Sequence, residues 1–147
     1  MLTLLLPAVL AASPPPGTDT LRGLLWARHD RDLPDHTVLV RHGGVAPLGW
    51  LAEHDDHLIV RTRALLALGT FPDPEDRAVC RRGVFDAPHP KLRAAAITCL
   101  HPGDLVTPDL LAAVERATQA DDPRVAHAAV ELLDEHRESN ENPPAAR

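Results

Sequence analysis

Three segments of the chain repeat one another at nearly constant spacing, and this constrains the fold more than any other feature. They are "DDHLIVRTRALLALG" (55–69), "APHPKLRAAAITCL" (87–100) and "ADDPRVAHAAVELL" (120–133). Val60, Leu92 and Val125 occupy equivalent places, as do Ala64, Ala96 and Ala129. Leu65, Ile97 and Val130 follow, and then Leu68, Leu100 and Leu133. Successive copies are offset by 32 and 33 residues. Within each copy the apolar positions fall at i, i+4, i+5 and i+8, one stripe of an amphipathic helix. The small Ala within the stripe admits close helix–helix approach. With 44% apolar residues, 3% aromatic and no Tyr, the core must come from aliphatic side chains and Ala. Ala favours helices and is depleted in strands.

Shorter helical segments lie between the copies and carry clear start signals. "DPEDRAVCRRGVF" opens with Asp73 at an N-cap position and Pro74 in the first turn, with Glu75 and Asp76 at the positive end of the helix dipole. Thr107, Pro108 and Asp109 repeat this arrangement ahead of an inward face formed by Leu110, Leu111, Val114 and Ala117. Asp122-Pro123 begins the last long helix. The unit is helix, turn, helix, turn. Such units cannot bury their apolar faces alone, so they stack on one another.

"HLIVRTRALLALG", "HPKLRAAAITCL" and "DDPRVAHAAVELL" resemble the second helix of HEAT-like repeats, in particular the short bacterial type first recognised in phycobilisome lyases, approximately Asp-Pro-x-Val-Arg-x-x-Ala-x-x-Ala-Leu-Gly. The resemblance covers residues 45–136. Ala126 stands in the last copy where Arg61 and Arg93 stand earlier. It implies an all-α fold, an α-α superhelix (solenoid) formed by a right-handed stack of about four helical hairpins. It specifies a scaffold and leaves activity open. The expected organisation is a signal peptide at 1–12, a Pro-rich linker at 13–17, the repeat domain at 18–137 and a flexible polar tail at 138–147. "DTLRGLLWARHD" reads as a helix, with Leu21, Leu24, Leu25 and Arg28 on neighbouring turns.

"TVLVRHGG" (37–44) resembles the opening motif of the histidine phosphatases, in which a strand delivers an Arg-His-Gly and the His carries the phosphoryl group. That would make His42 a nucleophile. No series of strands follows Val40, however. In the repeat frame, Arg41 and His42 close a helix of a degenerate repeat, with Gly43 as its C-cap. The β-branched Val38 and Val40 keep a short extended linker as the alternative.

His54 and His57 frame "HDDH", with Asp55 and Asp56 between them. The spacing suits a metal site, but it falls at an inter-helix turn, where solvated polar residues are the ordinary occupants. Some HEAT-repeat enzymes hold a di-iron centre through His-Glu dyads. This chain has the reverse order, Glu53-His54 and Glu135-His136, and no His-Glu. No metal ligands and no cofactor are therefore expected. Gly-rich phosphate loops, G-x-S-x-G and H-E-x-x-H are all missing from the sequence. Trp26 and Trp50 read as core or capping residues.

Charge narrows the partners. The chain carries 15 Lys+Arg against 21 Asp+Glu, a formal net charge of -6, which argues against general nucleic-acid binding. Cations concentrate mid-chain as Arg61, Arg63, Arg77, Arg81, Arg82, Lys91 and Arg93, while the stretch after His101 is rich in Asp and Glu. The six arginines form a candidate partner-binding surface that steers a charged protein. Arg61 and Arg93 are equally suited to holding turns by pairing with acids such as Asp56.

The apolar run Leu2–Ala12 has the length of a signal-peptide core and is too short to span a bilayer. This implies export, with a cytoplasmic location as the alternative, and no membrane insertion of the mature chain. Cys80 and Cys99 would form a disulfide in an oxidising compartment and be small buried hydrophobes in the cytosol. The functional expectation is a non-catalytic protein-interaction or scaffold module with a protein partner. An enzyme-like accessory, lyase-type or metal-binding, is the alternative, and a histidine phosphatase a remote third.

Overall fold

The computed structural model describes residues 13–27 and 32–142. The expected signal peptide, Arg28 and residues 143–147 lie outside them. The described residues form eight α-helices and no strand. The helices are α1 (Thr18–Trp26), α2 (His36–Arg41), α3 (Val45–His54), α4 (Leu58–Leu68), α5 (Ala78–Asp86), α6 (Pro90–Cys99), α7 (Pro108–Ala117) and α8 (Pro123–Glu141). Short 3₁₀ turns over Pro74–Arg77 and Pro102–Asp104 precede α5 and α7.

The helix starts in the second half of the chain have local causes. The Asp73 side chain accepts a hydrogen bond from the Glu75 N–H, His89 from the Lys91 N–H and Asp122 from the Arg124 N–H. Pro follows each of these caps, where its missing N–H costs nothing. Thr107 holds the N-cap position of α7 without a side-chain bond, although Pro108 still fixes the first turn.

The helices pack in consecutive pairs, α3 with α4, α5 with α6 and α7 with α8. α4, α6 and α8 also touch in succession, as do α3, α5 and α7. α1 lies against α3 and α4. The repeated stripe supplies the core. Val60, Leu92, Val125, Ala64, Ala96 and Ala129 are all buried. Each fully buried Leu, Val or Ile stabilises the fold by about 1.5–3 kcal/mol. Gly83 sets the spacing of α5 on α6, because a Cβ there would lie 2.8 Å from the Ala96 Cβ.

The repeat rule fails at one place. Leu65 and Ile97 are buried, but their equivalent Val130 is 43% exposed and Leu133 is only half-buried. Among the described residues, no helix pair follows α8 to cover them. α8 also runs through 138–141, which the sequence assigned to a flexible tail. The His136 Nδ1 lies 2.9 Å from the Pro102 carbonyl, and Arg137 pairs with Asp134 one turn earlier at 3.0 Å. These contacts carry the helix past the core.

"TVLVRHGG" is the end of a helix. Residues 36–41 are helical and Leu39 is fully buried, so Val38–Val40 do not form the strand that the phosphatase motif uses. His42 takes the cap position expected for Gly43, and Gly43 and Gly44 both adopt positive φ in the turn into α3. The His42 carbonyl packs against Gly17, whose φ is 88° and whose Cβ, if present, would lie 1.9 Å from that oxygen. Only glycine fits there. By contrast, Gly23 in α1 faces open space. Gly17→Ala is therefore expected to destabilise the protein by more than about 2 kcal/mol. Gly23→Ala is expected to stabilise it by about 0.5–1 kcal/mol. Urea unfolding of the two variants beside the parent checks both signs.

Candidate functional site

Side chains predicted to form a free basic surface are largely engaged within the chain. Arg61 Nε donates to the Ala52 carbonyl at 2.9 Å, and Arg93 Nε donates to the Val84 carbonyl at 2.9 Å. Ala52 and Val84 lie late in α3 and α5. Both arginines thus satisfy a carbonyl near the end of the preceding helix, where helical acceptors lack partners. The turn-holding expectation named the wrong acceptor, since both bind main-chain carbonyls rather than Asp56. Arg63 Nη1 donates to the Leu25 carbonyl at 2.5 Å and does the same for α1. Arg81 Nη1 donates to the Pro74 carbonyl at 2.6 Å, and Arg82 pairs with Glu53 at 2.6 Å.

Arg77 is removed from the partner-binding set altogether. Its side chain is 2% exposed and forms a two-pronged pair with Asp104, Nε–Oδ2 at 2.6 Å and Nη2–Oδ1 at 2.9 Å. Its Nη1 donates to the Phe71 and Asp73 carbonyls. Asp104 also accepts from the His101 N–H at 2.8 Å, and the His101 Nε2 lies 2.7 Å from the Gly69 carbonyl. Burial pushes the Asp104 carboxyl up. The Arg77 hydrogen bonds, the His101 N–H and the nearby positive charge outweigh it, so the carboxyl titrates below its ordinary value.

"HDDH" is resolved in a similar way. Asp55 is buried, accepting from Arg22 Nε at 2.6 Å and from the His57 N–H at 2.8 Å. Desolvation raises its pKa, but the His57 N–H and Arg22 lower it further, and the net shift is downward. His57 Nδ1 lies 2.9 Å from Arg22 Nη2, so that nitrogen accepts and the ring proton sits on Nε2. His54 stacks on Trp50 with ring centroids 5.0 Å apart. Among the described residues no group of His, Cys, Asp and Glu is arranged to hold a metal ion. Trp26, the last residue of α1, is half-exposed with its ring meeting that of His57 at 80°, so of the two roles expected, core or capping, it does not take the core one. Trp50 packs against the core, and its Nε1 is buried without a partner among the described residues.

Cys80 and Cys99 are joined by a disulfide with a Cα–Cα distance of 6.1 Å, and both residues are buried. The bond ties α5 to the end of α6. Closing a loop of this length stabilises a fold by about 3 kcal/mol.

Two of the open grooves among the described residues are related through the repeat. The first encloses about 290 Å³ between Arg61, Arg82, Leu65, Val79 and Leu92, and the second about 270 Å³ between Arg93, Ala120, Asp121, Asp122 and Val125. Their linings correspond through the repeat: Arg61 to Arg93, Leu92 to Val125, and Ala87 and Pro88 to Ala120 and Asp121. Ala87 and Pro88 line both grooves, so the two are neighbours with a shared wall. The Nη groups of Arg61 and Arg93 have no hydrogen-bond partner among the described residues. No pattern in the sequence marks Asp55 or Asp104 as buried, whereas the paired grooves follow from the repeat once Arg61 and Arg93 are aligned.

Comparisons of the chain with family models, curated proteins and solved structures return no match. No helix of the described residues is long and apolar enough to cross a membrane.

The Arg77–Asp104 pair supplies a direct test. Asp104→Asn leaves the Arg77 charge buried and is expected to cost about 3–5 kcal/mol. Because the native Asp104 and Asp55 pKa values are lowered, their contribution is complete above the unfolded value of about 3.9. It is lost as the pH falls below that value toward the native ones. Urea midpoints measured from pH 6 to pH 2 should fall steeply below pH 4 in the parent and less steeply in Asp104→Asn.

Proposed function

We propose that the chain is a non-catalytic binding module, a HEAT-like α-α solenoid that presents its repeat surface to a protein partner. The single observation that carries this reading is the recurrence, one repeat apart, of the same arginine-to-carbonyl bond and the same groove beside it. The succession of contacts α4–α6–α8 and α3–α5–α7 is what a stack of helical pairs produces. Binding surfaces of this kind are extended and repetitive, and they need no catalytic group. The enzyme-like alternatives draw no comparable support, because His54 and His57 are committed to Trp50 and Arg22. The buried Cys80–Cys99 bond supports an oxidising, exported setting.

Site-directed photo-cross-linking in the native host tests the reading. A photoreactive residue at Pro88 sits in the shared groove wall, and one at Thr98 lines a different groove with Leu66 and Thr70. The expected outcome is an adduct to one identified protein from position 88 and none from 98. Equal labelling from both positions, or none from either, contradicts the proposal.

A further inference from the structure

The chemistry of the two grooves identifies the kind of segment they would hold, and this inference rests on the binding-module reading above. Each groove offers a guanidinium whose Nε is fixed to a main-chain carbonyl at 2.9 Å. The side chain is thus pre-oriented, the arginine lines the groove, and its Nη groups have no hydrogen-bond partner among the described residues. A guanidinium held this way favours a planar two-oxygen acceptor such as a carboxylate. The floor beside it is aliphatic, Leu65, Val79 and Leu92 in the first groove and Val125 in the second.

Other charges limit what fits. Glu53 is occupied by Arg82 at 2.6 Å and Asp122 by Arg124 at 2.6 Å. Asp86 in the first groove and Asp121 in the second have no partner among the described residues. A uniformly anionic polymer would meet both of these carboxylates, whereas a segment of alternating charge would not be repelled.

Spacing adds a further condition. Packed helices lie about 8–10 Å apart, so equivalent atoms on α4 and α6 are separated by roughly that distance. A polyproline-II segment rises about 3.1 Å per residue with three residues per turn, so its side chains return to one side about every 9 Å. Acidic side chains at i and i+3 of such a segment match Arg61 and Arg93.

We propose that the two neighbouring grooves together bind a polyproline-II segment of a partner protein, which crosses their shared wall and seats acidic residues at i and i+3 on Arg61 and Arg93. Basic residues beside them face Asp86 and Asp121, and aliphatic or prolyl rings cover the floor.

Fluorescence polarisation with the full chain and labelled Pro-rich peptides tests the assignment. One peptide carries Glu at i and i+3 with a Lys next to each, and an isomer of identical composition carries the two Glu at i and i+2. The i+3 peptide is expected to bind at least about tenfold more tightly. Arg61→Gln with Arg93→Gln is expected to remove that preference. Those changes also touch the carbonyl bonds, so Pro88→Glu provides a second variant. Pro88 is exposed, and a carboxylate there would compete for both guanidinium groups without disturbing either bond. It too is expected to weaken the i+3 peptide about tenfold or more. Equal affinity for the two isomers, or no loss in Pro88→Glu, overturns the assignment of Arg61 and Arg93. So does tighter binding of a single-stranded oligonucleotide than of either peptide. In each case, a site-specific adduct from position 88 would still uphold the binding-module reading. If that adduct is missing as well, the module reading fails independently.

Discussion

The bond from an arginine Nε to a carbonyl late in the preceding helix is the interaction on which the organisation of the repeats depends. A helix ends with four carbonyls that have no partner within it, and a stack of short helices multiplies those ends inside a small molecule. Arg61 and Arg93 each meet one such carbonyl from the next helix, with the same atom and over the same sequence separation. The bond therefore sets the register of α4 on α3 and of α6 on α5. Each of these arginines also lines a groove. Scaffold and candidate surface thus share one side chain, and Arg63 extends the principle to α1. In the last copy Ala126 replaces the arginine, and α8 is held instead by His136 on the Pro102 carbonyl.

A second set of constraints is buried and long-range. Cys80 is bonded to Cys99 and Arg77 reaches Asp104, so the start of α5 is clamped covalently to the end of α6 and ionically to the 3₁₀ turn that leads into α7. Asp55 does the equivalent for α1 through Arg22. Each buried carboxylate accepts from an arginine and from a backbone N–H, which is the condition for burying a charge without a large penalty. The rigidity these links confer suits the proposed binding role, in which pre-formed grooves lower the cost of association.

Much of the helical pattern was legible in the sequence because it rests on local and periodic rules. The stripe Val60, Ala64, Leu65, Leu68 and its copies marked the helices and most of the core, and Asp73, Asp122 and the prolines marked their starts. Properties that depend on three-dimensional neighbours were not legible. A mid-chain cluster of arginines looks the same whether it faces solvent, as Arg82 does, or is buried on a carboxylate 27 residues away, as Arg77 is. Val130 matches Ile97 in type and register, yet it is exposed because burial depends on what packs against it. "HDDH" resembled a solvated turn because nothing local announces that Arg22 reaches Asp55.

The central claim is that Arg61 and Arg93 are held by main-chain carbonyls in the same way, one repeat apart. Hydrogen exchange of individual arginine Nε–H groups by NMR tests it most directly. The account predicts slow exchange for Arg61 and Arg93, alike in magnitude, and solvent-like exchange for Arg116, which lies exposed on α7. Exchange of Arg61 and Arg93 as fast as that of Arg116 would contradict it.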